Sequence, residues 1–578
     1  MNFIKSVLSS MVAIWLVIVV FVLVGIGFVV AISDDIVEEV KPNTVLEIDL
    51  SGEMNDFAPN GIDPVSEVLG FEEKTVGFNN VCKAIEGATY DKNINGISIT
   101  NLPATMGWAQ ATALRKMLKT FKSKGKFVYA YNDVYSQKDY YVNSIADSVF
   151  MSPLGYVELK GLHSEVLFYK SFQEKYGVKM EVIRHGKYKS AVEPFIADEM
   201  SDSNEKQISE LIQGLWTEIH KSIFTSRKIN VEQAVMNYYG ESSKAALENN
   251  LIDGVVYKDT YQDKLKKRLG NDKLKKISIT NYITNQSLLS LAAKGDQIAV
   301  VYAQGEIIYG EGELTVIGQK KMIKALNKAA DNKNVKAIVF RINSPGGSAL
   351  ASDLIWRAVE KAKEKKPVIV SMGNLAASGG YYIAAGADRI FAEPTTITGS
   401  IGVFGMLPNA AQLAKKIGIN AQVVSTHNNG AHYSVVQPLD MRFKKVVKNS
   451  IEHIYDEFLD RVSKGRNMTK NQVDEIAQGR VWTGLKALEI GLIDELGGLD
   501  SAIAYAANKV NVKEYSLKEY PEYELDFKEL FSLGTFLKST TNIDAVLTNT
   551  GLDKVIAVKK VLEIKGAQAR IPFEINVE

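Results

Sequence analysis

The sequence has few of the residues that build disulfides and metal centres. Cys82 is its only cysteine, so an intrachain disulfide and a cysteine-rich metal site are both excluded. The six histidines lack the H-E-x-x-H spacing that presents two imidazoles to zinc from one helix face. We therefore interpret the histidines as ordinary surface or core residues and expect no metal and no cofactor.

The charge balance also excludes a class of partner. The 68 Lys and Arg residues are offset by 67 Asp and Glu residues, and they are spread along the chain. Proteins that bind nucleic acid concentrate positive charge on one surface, so we expect no nucleic-acid partner. The 578 residues exceed what a single core usually organises, which predicts two or more domains.

A long uncharged segment near the N-terminus predicts a membrane anchor in residues 1–35. The run from Met11 to Ile32 is almost entirely apolar and long enough for a helix to cross the hydrocarbon layer of about 30 Å. The alternative, a cleaved signal peptide, has a shorter apolar region of about 7–15 residues. Lys5 on the short side favours a cytoplasmic N-terminus with the rest of the chain exported.

The remainder of the chain repeats itself. "YYVNSIAD" (140–147) matches "YYIAAGAD" (381–388), and "ALENNLID" (246–253) matches "ALEIGLID" (487–494), both at a spacing of 241 residues. Two matched blocks at one spacing indicate two copies of one domain. We predict copies at 44–270 and 297–515, a linker between them, and a C-terminal extension at 516–578 of unknown role.

Each copy alternates short apolar runs with amphipathic helices. In the second copy, "AIVF" and "PVIVSM" are typical of buried strands, and "DLIWRAVEKAKEKK" between them is typical of a helix covering a sheet. Such β-α-β units form mostly parallel sheets covered on both faces. The predicted fold class is α/β.

Two glycine-containing segments follow strands in the second copy only. "RINSPGGSA" (341–349) follows "AIVF", and "GNLAASGGYYIAAGAD" (373–388) follows "PVIVSM". Glycines at a strand end let backbone approach a ligand and leave N–H groups free to point at it. Ser378 lies at a helix start among small neighbours, which exposes its hydroxyl. The alternative interpretations are a tight turn for "PGG" and a helix N-cap for "ASGG".

The first copy lacks these residues. Gln137 stands at the position of Ser378, and Ala104 and Thr105 stand at the positions of Gly346 and Gly347. Residues that only shaped turns would be needed in both copies, because the surrounding fold is the same. The difference favours a functional role in the second copy.

A complementary difference concerns a lysine. "RHGKYKSAVEPF" (184–195) aligns with "NNGAHYSVVQPL" (428–439), which places Lys189 opposite Tyr433. A serine is a weak nucleophile without a base, and a neutral lysine can be that base. Its pKa would have to fall by about 3 units from about 10.4, which burial can produce. We therefore predict Lys189 buried between the copies. Arg184 and Lys187 would lower its pKa further if they lay close.

The combination of "GKYKSAVEPF", "RINSPGGSA", "ASGGYYIA" and "TGSIGVFG" (398–405) with an N-terminal anchor resembles a known family. The chain is similar to signal peptide peptidases of the long, two-repeat protease IV type. These are membrane-bound Ser-Lys peptidases related in fold to the Clp protease subunit and to crotonase. The resemblance covers residues 1 to about 515.

The resemblance implies a set of site residues. Ser378 would be the nucleophile and Lys189 the general base. Backbone N–H groups of Gly346 or Gly347, together with that of Gly379, would form the oxyanion hole. The substrate groove would be lined by Gly399, Ser400, Ile401, Gly402 and Val403, although the same residues also fit a glycine-broken strand of the sheet.

The resemblance also implies partners and a location. The substrates would be apolar peptides, in particular cleaved signal peptides, and the protein would form a homo-oligomer, a tetramer by analogy. It would lie in the bacterial inner membrane with its catalytic part on the periplasmic side. The serine can meet the lysine of its own chain or the lysine of a neighbouring protomer.

Two other functions fit parts of the pattern. A crotonase-like acyl-CoA enzyme would need a carboxylate such as Glu193 or Asp388 beside its backbone N–H groups, and an exported domain would not meet acyl-CoA. A catalytically dead membrane scaffold is the second alternative, which the presence of one serine and one lysine in complementary copies disfavours.

Overall fold

The structure is a computed structural model that describes residue 20 and residues 40–58, 77–290, 295–427, 432–523 and 568–570. Apart from residue 20, the anchor predicted over Met11–Ile32 lies outside these ranges, so it stays a prediction. Within these ranges, no helix is long and apolar enough to cross a bilayer.

The first half of the chain builds a six-stranded sheet. Its strands are β1 (Thr44–Asp49), β2 (Ile94–Asn101), β3 (Phe127–Asn132), β4 (Ser148–Met151), β6 (Gly254–Val255) and β7 (Lys275–Ser278). A further strand of this half, β5 (Lys179–Arg184), belongs to a different sheet. The spatial order is β6-β4-β3-β2-β1-β7, and all neighbouring pairs are parallel.

Helices cover both faces of this sheet, which is why its strands are apolar on both sides. Leu46 and Ile97 face one core. Val45 and Phe127 face a second core, which is formed with the helix Lys258–Leu269. The helices are α1 (Phe78–Tyr90), α2 (Trp108–Ser123), α3 (Gln137–Asn143), α4 (Lys170–Tyr176), α5 (Asp202–Arg227), α6 (Val231–Met236), α7 (Ser243–Glu248), α8 (Lys258–Leu269) and α9 (Ile279–Ser290), with a 3₁₀ helix at Ser190–Phe195.

The second half repeats this arrangement. Its strands are β8 (Gln297–Gln304), β9 (Glu306–Ile308), β10 (Gly312–Glu313), β11 (Val316–Gly318), β12 (Val335–Ser344), β13 (Gly346–Ser348), β14 (Val368–Ala377), β15 (Arg389–Ala392), β16 (Ile397–Gly399), β17 (Phe404–Asn409), β18 (Val481–Thr483), β19 (Glu495–Leu496), β20 (Ser516–Tyr520) and β21 (Gln568–Arg570). The helices are α10 (Gln319–Asp331), α11 (Ala349–Lys363), α12 (Gly379–Ala384), α13 (Ala411–Lys416), α14 (Met441–Arg466), α15 (Lys470–Ile476), α16 (Gly484–Glu489) and α17 (Leu499–Lys509).

The main sheet of this half has the order β18-β16-β14-β12-β8-β20, with β15 and β19 continuing beside β14. All of its pairs are parallel except β16 with β18. Equivalent hydrogen bonds also recur within each half. Tyr140 Oη donates to the Leu251 carbonyl at 2.9 Å, and Tyr381 Oη donates to the Leu492 carbonyl at 2.8 Å. The predicted α/β repeat with mostly parallel sheets is confirmed.

A third sheet connects the halves. Its order is β10-β11-β9-β13-β21-β17-β5, so β5 of the first half pairs with β17 of the second. This pairing is antiparallel and runs from Phe404 opposite Arg184 to Asn409 opposite Lys179. The strand that leads toward Lys189 is therefore hydrogen-bonded to the other half of the molecule.

Buried polar contacts also link the halves. Arg341 on β12 donates from Nε to Asp56 Oδ2 at 2.6 Å, and both side chains are almost fully buried. Gln110 donates to the same Asp56 carboxylate at 3.1 Å. A buried ion pair that loses one partner leaves an uncompensated charge, so this contact opposes separation of the halves.

Each repeat is one strand longer than the sequence predicted. The predicted linker contains β7 and α9, whose Ile277, Ile279 and Tyr282 are buried in the first core. Its counterpart β20 begins at Ser516, beyond the predicted boundary, and runs parallel to β8. Both strands lie at a sheet edge and contain lysine beside apolar residues. In the sequence, such segments look like polar linkers, which is why the predicted boundaries exclude them.

Candidate active site

Ser378 lies at a sharp turn from strand β14 into helix α12. Its backbone adopts φ 55° and ψ −116°, a conformation that a non-glycine residue rarely adopts. Its N–H donates to the Gly399 carbonyl at 2.8 Å, and its own carbonyl accepts from Tyr382 N–H at 2.8 Å. Although Ser378 occupies the N-cap position, its side chain makes no capping hydrogen bond. The hydroxyl therefore does not serve as a helix cap, which was the alternative interpretation of "ASGG".

Lys189 reaches the same place from the first half. It follows β5 and immediately precedes the 3₁₀ helix, and Tyr188 N–H donates to the Gln478 carbonyl of the second half at 2.9 Å. Glu193 in the same motif accepts from Ser201 Oγ at 2.7 Å, which ties the 3₁₀ helix to the start of α5. The lysine motif is thus attached to both halves.

Lys189 and Ser378 of the same chain are in contact. Lys189 Nζ lies 2.8 Å from Ser378 Oγ, 3.0 Å from Ser400 Oγ and 3.0 Å from the Ser400 carbonyl oxygen. All three residues are fully buried, so the expectation that the Ser378 hydroxyl is exposed is wrong. A neutral amine has two N–H donors and one lone pair, and these match two oxygens of Ser400 and the hydroxyl of Ser378.

Burial lowers the pKa of Lys189 well below its usual range, because the ammonium form loses its hydration and its three neighbours are uncharged oxygens. The two neighbouring cations of the motif have other partners. Arg184 Nη1 donates to the Lys189 backbone carbonyl at 3.2 Å and lies 3.9 Å from Glu193. Lys187 Nζ lies over the Tyr188 ring at 5.2 Å. Desolvation, and not repulsion by Arg184 and Lys187, is therefore the cause of the lowered Lys189 pKa.

Gly479 is a site residue that the sequence pattern did not reveal. It has φ 82°, and a Cβ atom there would lie 2.7 Å from the Lys189 backbone nitrogen and Cα. Its N–H donates to the Ile401 carbonyl at 2.8 Å. The segment "AQGRVW" offered one signal, a glycine between a helix and a strand, which is common at turns.

The glycines after β12 lie in β13, which is close to α12, the helix that begins directly after Ser378. Gly347 has φ 152°, and a Cβ atom there would lie 2.2 Å from the Ile307 carbonyl oxygen. Gly346 N–H donates to Ser344 Oγ at 3.1 Å, so this donor already has an acceptor. Gly379 is the first residue of α12, a position whose N–H has no partner within the helix. Of the three predicted oxyanion-hole glycines, Gly346 therefore has its N–H engaged within the protein, and the roles of Gly347 and Gly379 stay predictions.

The predicted groove residues Gly399–Val403 lie around the serine and lysine. Gly399 accepts the Ser378 N–H, Ser400 contacts Lys189 Nζ, and a Cβ atom on Gly402 would lie 3.3 Å from Lys189 Cδ. Ile401 and Val403 are buried in the core of the second half. The strand that follows them is β17, which β21 separates from β13 in the third sheet. That Gly399–Val403 line a substrate groove stays a prediction.

The carboxylates required by the acyl-CoA alternative have structural partners. Glu193 accepts from Ser201 and lies near Arg184, as described above. Asp388 Oδ2 accepts from Val368 N–H at 2.8 Å. In the part of the chain that is described, no cluster of three or more His, Cys, Asp or Glu residues is arranged to hold a metal ion.

Comparison with known families agrees with this geometry. The model of peptidase family S49 matches residues 120–272 and 360–513, one segment in each half, and the Clp protease family model matches residues 293–398. Protease 4 of Haemophilus influenzae is 36% identical over 477 residues, which cover 78% of this chain and 76% of that protein. The chain belongs to peptidase family S49.

Other relatives of this S49 peptidase cover more of its length. Protease 4 of Salmonella typhi is 34% identical over 542 residues, 90% of this chain and 86% of that protein. The chloroplastic serine protease SPPA of Arabidopsis thaliana is 33% identical over 490 residues, 82% of this chain and 70% of that protein. The chain is a serine endopeptidase of the signal peptide peptidase type, as the sequence motifs predicted.

Proposed function

We propose that this S49 peptidase hydrolyses apolar peptides, including cleaved signal peptides, with Ser378 as nucleophile and Lys189 as general base. The observation that carries the proposal is the 2.8 Å separation of Lys189 Nζ and Ser378 Oγ at a fully buried position. Because burial lowers the pKa of this lysine, its neutral form is available to accept a proton.

The reaction then follows the two stages of acyl transfer. Lys189 Nζ accepts the hydroxyl proton as Ser378 Oγ attacks the peptide carbonyl, and the N–H groups of Gly347 and Gly379 stabilise the resulting oxyanion. The Lys189 ammonium returns the proton to the departing amine. A water molecule, deprotonated by the neutral Lys189 amine, attacks the acyl-serine, and the proton passes from Lys189 to Ser378 Oγ as the ester bond breaks, which restores both side chains.

Apolar side chains are concentrated at β17, which we propose as one wall of the groove. Phe404 and Met406 on β17 pack with Val192 of the 3₁₀ helix in one buried cluster. When a substrate lies between β13 and β17, their backbones would supply hydrogen bonds that do not depend on its sequence, and apolar surroundings would favour apolar side chains. This composition supports peptides with the character of signal sequences.

The membrane location and the assembly belong to the same proposal. The apolar run Met11–Ile32 would hold the protein in the bacterial inner membrane, with both repeats on the periplasmic side. Large apolar side chains are exposed beyond β17, among them Ile417 and Val424, and Met441 at the start of α14 is 70% exposed. Such a surface supports a homo-oligomer, a tetramer by analogy with the family.

Covalent labelling tests the catalytic assignment. The full-length protein in detergent should react with a phosphonylating serine probe, and peptide mapping by mass spectrometry should locate the adduct on Ser378. Lys189→Met should lose labelling and lower the turnover of an apolar peptide by about 10²–10⁴-fold, because the base is removed while an apolar chain of similar length fills its site. Gln137→Ala, at the position of the first repeat that aligns with Ser378, is the matched control and should be labelled like the wild type. Labelling of Lys189→Met at the wild-type rate would refute the lysine's role.

A further inference from the structure

A short strand from the C-terminal end of the chain lies between the two backbone edges of the proposed groove. This strand, β21, is antiparallel to β13 on one side and to β17 on the other. Gly346 is opposite Arg570, Gly347 is opposite Ala569, and Gln568 is opposite both Ser348 and Phe404. The strand belongs to the C-terminal extension, whose role the sequence leaves unknown.

The gap that β21 fills is one strand wide. Without β21, the sheet β10-β11-β9-β13-β21-β17-β5 would be divided into two parts, and β13 and β17 would each present an unpaired edge. Neighbouring strands are about 4.8 Å apart, so a single extended peptide can hydrogen-bond to both edges at once. Two facing edges of this kind are a binding site for an extended peptide.

The direction of β21 carries the chain past the candidate catalytic residues. From Gln568 to Arg570 it runs from Ser348 toward Gly346, and Ala569 lies opposite the oxyanion-hole candidate Gly347. The strand also contacts α12, the helix that begins directly after Ser378. On its other side, β17 begins a few residues after Ser400, which contacts Lys189. A backbone in this place occupies the path that a substrate would take.

We propose that residues 568–570 are an intramolecular ligand of the substrate groove that competes with peptide substrates. The inference rests on the proposed function, because it takes the slot between β13 and β17 as the substrate site. A tethered segment acts at a high effective concentration, so a weak interaction is sufficient to keep the slot occupied for much of the time. Competition of this kind raises KM by the factor 1 + K, where K is the ratio of occupied to free slots, and leaves kcat unchanged.

Proline substitution in the full-length protein tests this competition. Proline removes a backbone N–H and is excluded from central strands, and the N–H groups of successive residues point to opposite neighbours. The double variant Gln568→Pro/Ala569→Pro should therefore release the slot on both sides. We expect KM for an apolar reporter peptide to fall by at least about threefold with kcat unchanged. Val577→Pro, outside the paired residues, should retain the wild-type KM.

A synthetic peptide with the sequence of residues 562–578 provides a second measurement. Added to the double variant, it should inhibit competitively, whereas the same peptide carrying both prolines should not. An unchanged KM in the double variant together with no inhibition by the peptide at millimolar concentration would overturn the inference. A lower kcat at constant KM would also overturn it, since that result indicates a structural role for the strand.

Binding of the fluorescently labelled peptide to the double variant, followed by anisotropy, separates this inference from the proposed function because it requires no turnover. Saturable binding without any peptidase activity would support occupation of the slot and refute the proposed function. Normal turnover that is insensitive to the prolines and to the peptide would do the reverse.

Discussion

The two repeats use the same turn from strand to helix in different ways. In the first repeat, Ser136 caps α3 with an ordinary φ of −61°, and its side chain accepts the Asp139 N–H. In the second, Ser378 is the N-cap residue of α12 but has φ 55° and makes no capping hydrogen bond. At the spacing of 241 residues Ser378 aligns with Gln137, the residue after Ser136. The helix start is stabilised by its side chain in the first repeat and strained in the second, where the free hydroxyl contacts a lysine.

The residue aligned with Ser378 in the first repeat is fully engaged in local hydrogen bonds. Gln137 accepts from the N–H groups of Lys160 and Gly161 at 3.0 and 2.8 Å, and donates to the Gly161 carbonyl at 3.0 Å. Its side chain therefore stabilises the loop that contains Lys160 and Gly161. The comparison shows that one scaffold can hold either a structural hydrogen-bond network or a serine with strained backbone at this point.

Exchanging each serine for alanine should give opposite results. Ser378→Ala should reduce peptide turnover by at least about 10⁴-fold with little change in stability, since its hydroxyl caps no helix. Ser136→Ala should leave kcat unchanged and lower the free energy of unfolding by about 1 kcal/mol through loss of the cap. Turnover assays and urea unfolding measure the two effects. A stability loss in Ser378→Ala as large as that in Ser136→Ala would contradict the contrast.

Two glycines with nearly equal φ separate backbone strain from contact with the lysine. Gly479, beside Lys189, has φ 82°, and Gly125 in the first repeat has φ 79° with no atom within 4 Å of the place that a Cβ atom would take. Gly125→Ala should therefore cost only the left-handed conformation, about 1–2 kcal/mol. Gly479→Ala should in addition displace Lys189 and lower kcat by about 10²-fold. Equal kcat values for the two variants would show that Gly479 does not position the lysine.

Ser400 should have a smaller effect on turnover. Ser400→Ala removes one of the three oxygens around Lys189 Nζ and leaves the carbonyl in place. We expect kcat to fall by about 10-fold, the equivalent of about 1.4 kcal/mol, because one hydrogen bond to the base is lost. Thr398→Ala is the matched control, since Thr398 Oγ1 is buried and donates to the Ala376 carbonyl at 2.7 Å without contacting the lysine. It should lower stability and leave kcat at the wild-type value.

The pH dependence of stability tests the state of the buried amine. Because the folded-state pKa of Lys189 is lowered, the unfolded chain binds the extra proton between that pKa and about 10.5. Wild-type stability should therefore contain a contribution that rises with pH in this window, by at most about 1.4 kcal/mol per pH unit. The free energy of unfolding of Lys189→Met should lack this rise. The difference in free energy of unfolding, Lys189→Met minus wild type, should therefore decrease as pH increases. Urea unfolding at a series of pH values provides the measurement, and parallel curves for the two proteins would contradict a lowered pKa.

Much of the architecture was predictable because the chain repeats itself. The blocks ending in "YYIAAGAD" and "ALEIGLID" indicated two copies, and the complementary Lys189 and Ser378 indicated a site shared between them. The structure brings these two side chains together as the sequence pattern predicted. The comparison of copies was informative because a residue found in one repeat and replaced in the other is not needed for the shared fold, which favours a functional role.

The remaining features depend on contacts between distant segments. Ser400 and Gly479 are 79 residues apart, and neither lies near Lys189 in sequence. The pair formed by Asp56 and Arg341 is separated by 285 residues. Among the residues that the structure describes, strand β21 has no counterpart in the first repeat, so the comparison of copies could not reveal it. Local patterns predict which elements form, whereas these contacts follow from how the halves assemble.

The division of the dyad between repeats has a consequence for biosynthesis. The lysine and serine are separated by 189 residues along the chain, and β5, which carries the lysine motif, pairs with β17, which lies beyond the serine. Since domains fold in order as a chain emerges, the first repeat can complete its own sheet before Ser378 has been made. A chain of which only the first repeat has been synthesised therefore contains Lys189 without Ser378.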